Sequence, residues 1–226
     1  MKKIGIVGYP LSGGFGLPIS YLTFFSYFGI VNIIMPNEIE VREDLDLLVI
    51  PGGPDVDTNR YLGERPLSLM MGSPCPFRER FDNVLLPKYI KNNTPIFGIC
   101  RGHQSLAVYF GGKLKQHMSH ETSPSGERTK KVHYLKVSDE IGDFIPGISS
   151  LERFEVNSLH HQVIYISPKN STVLAIYDNS NKEKEIEALG YNDYPAITVQ
   201  WHPEEIWDLF SMNAIKKLLK LEENET

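Results

Sequence analysis

The sequence predicts an α/β fold: a mostly parallel central sheet with helices on both faces, extended in its C-terminal half by antiparallel strands. Three observations carry that expectation. Short uninterrupted apolar runs alternate with helix-like stretches through the first half, as buried parallel strands and their crossover helices do. From residue 113 onward, β-like runs follow one another with little helix between them. No composition break, repeat or low-complexity stretch marks a linker, and 226 residues suit one α/β domain over 1–226.

The elements follow in order. Ile4-Gly5-Ile6-Val7 reads as a short buried strand, and stretch 19–28 as a helix closed by Gly29. Stretches 31–35 and 45–50 are the next strands, bounded by Pro, Gly or Asn. Helix is expected over 80–92, strand over 95–99, and helix over 104–110, stopping at Gly111-Gly112. Stretches 113–115, 133–137, 154–158, 172–177, 186–191 and 196–200 read as antiparallel additions to the same sheet. The connection 178–184, rich in Asn, Ser and Lys, has hairpin-loop composition. A closing helix over 206–221 carries Ile206, Leu209, Phe210 and Met212 at roughly helical spacing. In such a sheet, chemistry gathers at the carboxyl ends of the strands.

Hydrophobic residues make up 41%, charged ones 23%, and the net charge is -5, so no basic field exists to attract phosphate backbones. Nucleic acid is not an expected partner. Arg128-Thr129-Lys130-Lys131, beside Glu127, reads as a solvated hairpin edge. Stretch 19–35 is apolar but broken by Ser20, Thr23, Ser26, Gly29 and Asn32. It falls short of the ~20 residues that span a bilayer, so no membrane role is expected. The two cysteines, Cys75 in a proline-flanked loop and Cys100 after a strand, make no disulfide scaffold. The apolar stretch after Met1-Lys2-Lys3 is interrupted by Gly8 and Pro10 and is too short for a signal peptide, so the cytoplasm is the expected compartment.

Two segments carry a catalytic proposal. Gly98-Ile99-Cys100-Arg101-Gly102 places a cysteine between glycines at a strand-to-helix turn, where side chains two positions away would collide with neighbouring strands or substrate. The amides of the following helix would stabilise a thiolate. Gln200-Trp201-His202-Pro203-Glu204 sets an imidazole and a carboxylate two positions apart, on one side of an extended segment. Nucleophile, base and orienting acid are the parts that acyl transfer needs. The order Cys, His, Glu differs from that of an α/β-hydrolase, whose acid precedes the histidine. Pro51-Gly52-Gly53-Pro54, after another strand, can turn a backbone amide toward an oxyanion. Each feature alone has a plainer reading, as a small buried cysteine, a structural histidine or a tight turn; the combination favours chemistry. His117, His120, Glu121 and His133 fit no zinc spacing, so no metal is expected. Ser12-Gly13-Gly14-Phe15-Gly16 lacks the Lys-Ser/Thr ending of a phosphate loop and reads as a loop at the active edge.

The segments Pro51 to Asp57, Gly98 to Gln104 and Gln200 to Glu204 resemble the three signatures of class I glutamine amidotransferases. Asn157-Ser158-Leu159-His160-His161-Gln162 and Arg78-Glu79-Arg80-Phe81-Asp82 narrow the resemblance to the γ-glutamyl-γ-aminobutyrate hydrolase branch, also called peptidase C26. It covers nearly the whole chain. The resemblance implies a flavodoxin-like amidotransferase fold and a small-molecule γ-glutamyl substrate, cleaved through a glutamyl thioester without metal or organic cofactor. It implies Cys100 as nucleophile, His202 as base and acid, Glu204 as orienting carboxylate, and the amides of Gly53 and Arg101 as oxyanion hole. Gln104, Ser158, His161 and Gln162 would contact the glutamyl head group. A glutaminase component supplying ammonia to a separate synthase is the second reading, and a catalytically idle sensor of γ-glutamyl compounds the third. Arg60, Arg65, Arg78 and Arg80 could receive an anionic leaving amine, though Asp55, Asp57, Glu64 and Glu79 can pair with them. The overall resemblance and small size imply a relative specialised for a γ-glutamyl nucleotide amidate, as in capsule modification.

Overall fold

A computed structural model describes residues 1–12, 14–35, 38–61, 74–118, 121–178 and 184–221. Its first half runs β1 (Lys3–Val7), β2 (Tyr9–Leu11), β3 (Gly14–Gly16), α1 (Ile19–Ser26), β4 (Ile30–Ile34) and β5 (Leu47–Ile50). Then come α2 (Pro76–Arg80), a π-helical turn over Phe81–Leu85, α3 (Leu86–Lys91), β6 (Ile96–Ile99) and α4 (Arg101–Tyr109). The second half holds β7 (Lys113–Lys115), β8 (His133–Val137), α5 (Ile141–Phe144), β9 (Phe154–Val156), β10 (Val163–Ile166), β11 (Ser171–Asp178) and β12 (Lys184–Tyr191). It closes with β13 (Ala196–Val199), α6 (Pro203–Ile206) and α7 (Leu209–Leu219).

The main sheet runs β4-β1-β5-β6-β13-β12-β11-β8-β9, with β10 joining β12 to β7. From β4 to β13 every pairing is parallel; beyond β13 every pairing is antiparallel. Apolar side chains on both faces explain the continuous runs of the parallel strands. Ile4, Ile6, Leu47, Val49, Phe97 and Ile99 pack with Phe24 and Phe25 of α1 and Phe210 and Ile215 of α7. Their neighbours Leu48, Ile50 and Ile96 turn to the other face, against Leu86 and Tyr89 of α3 and Leu106 and Ala107 of α4. Successive residues of a strand point to opposite faces, so covering both leaves no polar alternation.

The structure departs from the expected elements in five places. β13 is not an antiparallel addition but the fifth parallel strand, with Val199 paired to Ile99 of β6. The helix expected from residue 80 begins at Pro76, where proline suits a first turn, and the one expected from 104 begins at Arg101. The closing helix is two: α6 ends at Trp207 in the left-handed conformation, and Asp208 then caps α7 by accepting the Ser211 N–H at 2.8 Å. β10 was not among the expected strands. Residues 128–131 form an exposed loop rather than a hairpin edge, and Arg128 Nε donates to Glu205 Oε1 at 2.7 Å. Residues 179–183 of the expected hairpin loop lie outside the described residues, but β11 and β12 on either side pair antiparallel. Among the described residues no helix is long and apolar enough to cross a membrane. Cys75 and Cys100 are both free thiols.

Candidate active site

β6 and β13 are neighbours, and the sequence's candidate residues Cys100 and His202 lie just past their carboxyl ends. The Cys100 N–H still donates to Val199 O at 2.8 Å, and the Cys100 carbonyl already accepts from the Gln104 N–H of α4. Strand and helix therefore meet at one residue. The turn needs Cys100 at φ 51°, ψ −105°, outside the comfortable regions for a side-chain-bearing residue. Such strain costs on the order of 1–3 kcal/mol and pushes the side chain clear of both elements. The flanking glycines are sterically required. A Cβ on Gly98 would stand 2.7 Å from Thr198 Cγ2, and one on Gly102 would overlap the Ile50 carbonyl oxygen and lie 2.7 Å from its carbon.

His202 follows β13 and is 5% exposed. Its Nδ1 lies 2.6 Å from Glu204 Oε1. With Nδ1 committed to Glu204, Nε2 is the ring nitrogen left for another partner. Burial opposes a charge on this imidazole, but Glu204 and Cys100, each by charge and by side-chain hydrogen bond, outweigh it and push its pKa well up, to about 10. By contrast His103, in α4, contacts Thr198 Oγ1 and Ile186 O, and burial pulls its pKa down to about 4. It is a neutral core histidine. The Asn157 side chain holds the His202 backbone from both ends: Oδ1 accepts the His202 N–H at 2.9 Å, and Nδ2 donates to the His202 carbonyl at 3.3 Å.

The turn after β5 completes the third side. The Gly52 N–H donates to the Tyr21 hydroxyl at 2.9 Å, and a Cβ on Gly52 would stand 2.6 Å from His202 Cε1. Neither the Gly53 nor the Arg101 N–H has an acceptor among the described residues. On the far side of the turn, Arg78 donates through Nη1 to Gly52 O at 2.8 Å and through Nη2 to Pro51 O at 2.7 Å.

The expected head-group residues lie along the segment between β9 and β10. The Ser158 backbone is locked to Ser123, accepting its N–H at 2.8 Å and donating to its hydroxyl at 3.1 Å. His161 Nε2 lies 3.2 Å from Asp55 Oδ2, joining this segment to the turn after β5. Gln162 donates to the Tyr61 hydroxyl at 3.4 Å, and its Oε1 is buried without a partner among the described residues. Gln104 is committed elsewhere: its amide nitrogen donates to Gln162 O at 2.9 Å and Gln200 Oε1 at 3.1 Å, so it braces the segment from beneath.

The expected arginine-rich rim is largely internal. Arg60 and Arg101 share Asp82 Oδ2 at 2.6 and 2.8 Å, and Arg101 also meets Glu79 at 2.5 Å. Burial alone would raise the Asp82 carboxyl, but Arg101 and Arg60 hold it below the usual carboxylate range. The acids in these pairs are thus Glu79 and Asp82, whereas Asp57 caps a turn through Asn59 N and Asp55 faces His161. Arg80 donates to Glu38 O at 3.3 Å. Glu64, Arg65, His120 and Gly13 lie outside the described residues. His133 and His160 approach Glu187 at 3.7 and 3.8 Å, and among the described residues no cluster of three such side chains could hold a metal.

Residues 20–204 match the model of the peptidase C26 family. The chain belongs to that family. It is 31% identical to YvdE of Lactococcus lactis, a glutamine amidotransferase-like protein, with 100% of both chains covered. It is 32% identical to a glutamine-hydrolyzing GMP synthase component of Ignicoccus hospitalis over 63% of this chain and 68% of that one. Among solved structures, the glutaminase domain of Trypanosoma brucei CTPS with bound acivicin superposes at a TM-score of 0.62 with 14% identity, covering 97% of this chain and 92% of that one. A glutamine amidotransferase from Thermotoga maritima gives 0.59 at 17% identity, covering 90% and 76%. These neighbours share the parallel sheet with antiparallel additions. The peptidase C26 chain is therefore a member of a glutamine amidotransferase-like hydrolase family. Tyr21 and Asn157 are site residues to which the sequence alone assigned no role of their own, and Arg78, expected with other arginines as a possible receiver of an anionic amine, grips the Pro51 and Gly52 carbonyls instead; Arg78 and Asn157 sit within the motifs that carry the resemblance.

Proposed function

We propose that this protein is a cysteine hydrolase that cleaves γ-glutamyl amide bonds. One observation carries the reading: Cys100, held at positive φ between a strand and a helix, and His202, whose Nδ1 meets buried Glu204, follow the carboxyl ends of the paired strands β6 and β13. The sulfur attacks the γ-carbonyl carbon, and the carbonyl electrons move to an oxyanion received by the Gly53 and Arg101 amides. The adduct collapses with cleavage of the C–N bond, and the amine leaves with the His202 proton. Water then attacks the glutamyl thioester as His202 takes its proton, releasing glutamate and restoring the thiol. Ser158, His161 and Gln162 hold the head group.

Two finer readings concern the amine. A γ-glutamyl nucleotide amidate is favoured by an excess of cations over acids: Arg60 and Arg101 share Glu79 and Asp82, and buried Arg78 makes its hydrogen bonds to carbonyls. Glutaminase activity for a separate synthase is favoured by the similarity to the glutamine-hydrolyzing GMP synthase component.

The test is glutamate release from glutamine, from substituted γ-glutamyl amides and from γ-glutamyl nucleotide amidates, with Cys100→Ala as control. Turnover of the amides that vanishes in Cys100→Ala is expected. Tight binding with no turnover by the wild type, or turnover surviving in Cys100→Ala, rejects the hydrolase reading. No preference for phosphorylated members rejects the nucleotide reading. Glutamine turnover that requires a second protein selects the glutaminase.

A further inference from the structure

Arg78 is 0% exposed, yet among the described residues no carboxylate forms an ion pair with it: Asp82 acts on it only at longer range, and Glu79 and Asp82 make their ion pairs with Arg60 and Arg101. Its Nε has no hydrogen-bond partner there, and Tyr9 lies under the guanidinium with 5.6 Å between the guanidinium carbon and the ring centre. Both prongs of the fork go to two consecutive carbonyls, those of Pro51 and Gly52. Two carbonyl dipoles are a weak counterweight for a desolvated cation, so this arrangement is costly for stability alone.

Its geometry has a different consequence. The Gly52 carbonyl and the Gly53 N–H belong to one peptide plane, and no described peptide bond is cis. In a trans peptide these two groups point in opposite directions, so fixing the oxygen fixes the N–H. The preceding peptide is held in the same sense, with its oxygen on Arg78 and the Gly52 N–H on the Tyr21 hydroxyl. A glycine pair would otherwise rotate freely. A cation at the oxygen end also polarises the peptide and strengthens the N–H as a donor.

We propose that Arg78 is a positioning residue for the oxyanion hole: by gripping the Pro51 and Gly52 carbonyls, it fixes and polarises the Gly53 N–H toward the developing negative charge. The inference rests on the hydrolase reading for its biological meaning, and its test does not depend on the natural substrate.

The test compares two reactions of the Cys100 thiol. Acylation by p-nitrophenyl acetate passes through an oxyanion; alkylation by iodoacetamide is a direct displacement at carbon and creates none. Both rates are measured in wild type, Arg78→Met and Arg78→Lys, after subtracting reaction in Cys100→Ala. In Arg78→Met the acylation-to-alkylation ratio should fall about 100-fold, the scale of losing one oxyanion donor. Alkylation itself should stay within about threefold, because the thiol and its helix are untouched. Lysine keeps the charge but not the two-pronged geometry, so Arg78→Lys should lose about tenfold. Should Arg78→Met fail to fold, Arg78→Lys decides by the same ratio. An unchanged ratio, or both rates falling together, overturns the proposal. Absence of γ-glutamyl turnover by the wild type counts against the hydrolase reading and leaves this ratio to judge Arg78.

Discussion

Replacing Gly102 with alanine perturbs the place where the nucleophile's helix crosses the strand leading to the Gly52-Gly53 turn. The added Cβ would overlap the Ile50 carbonyl oxygen and lie 2.7 Å from the carbonyl carbon. Ordinary carbon–carbon contact needs about 3.5–4.0 Å, so α4 and the end of β5 must separate by roughly 1 Å. Neither neighbour is a flexible side-chain tip; both are backbone. Overpacking of this kind costs about 1–3 kcal/mol, which for a chain of this size lowers Tm by about 4–8 °C for a 2 kcal/mol loss. The effect on chemistry should be larger, because the displacement lies between Cys100 and the Gly53 amide. A 1 Å misplacement costs about 100-fold in kcat. The assay is glutamate release from a γ-glutamyl anilide, with thermal melts of the same samples. Gly142→Ala serves as control, since nothing lies within 4 Å of a Cβ there. Gly102→Ala retaining wild-type kcat and Tm would refute the steric reasoning, as would Gly142→Ala losing activity equally.

Glu204→Gln removes the carboxylate 2.6 Å from His202 Nδ1, so the imidazole pKa should fall from about 10 toward 6.5 and the alkaline limb of the kcat profile should move to lower pH. The loss in kcat should reach about 100-fold to 10,000-fold, and an unmoved limb would count against the pairing. Because the folded imidazole titrates above its unfolded value, its contribution to stability is complete below about 6.5 and fades as pH rises toward 10. The Tm gap between wild type and Glu204→Gln should narrow across that range. Asn157→Ala strips both backbone partners from His202 and should cost about 2 kcal/mol in denaturant unfolding and about tenfold in kcat. Full activity there would show that His202 needs no such clamp. Asp208→Ala loses the α7 cap and the acceptor of the Trp201 indole N–H at 2.9 Å, lowering stability by about 1–2 kcal/mol with kcat within about threefold.

The parallel half of the sheet was legible because burial on both faces writes itself as unbroken apolar runs, at Ile4 to Val7 and around Leu47 to Ile50. The direction of β13 was not, because Ala196-Ile197-Thr198-Val199 has the same content whether it runs with or against its neighbours. Only its partners, β6 on one side and β12 on the other, decide. β10 escaped notice because Tyr165 and Ile166 are half-exposed, and a polar stretch precedes it. The break after α6 depends on Trp207 entering the left-handed region, which a tryptophan rarely does. In the site, Cys100, His202 and Glu204 were readable as residue types suited to a reaction. Tyr21 and Asn157 were not readable in role, and Arg78 was read only as a receiver of an anionic amine, since each acts on backbone groups that carry no residue identity.

The pairing of β6 with β13, with Ile99 opposite Val199, puts Cys100 and His202 just past the carboxyl ends of neighbouring strands, whose backbones run about 4.8 Å apart. Yet among the described residues β13 is the last strand in chain order and lies inside the sheet, between β6, made well before it, and β12, made just before it. A growing chain that has not emerged as far as His202 carries Cys100 at a half-built edge, without the imidazole proposed to act on it. On the proposed mechanism, the reactivity of Cys100 then waits for β13 to take its place between β6 and β12.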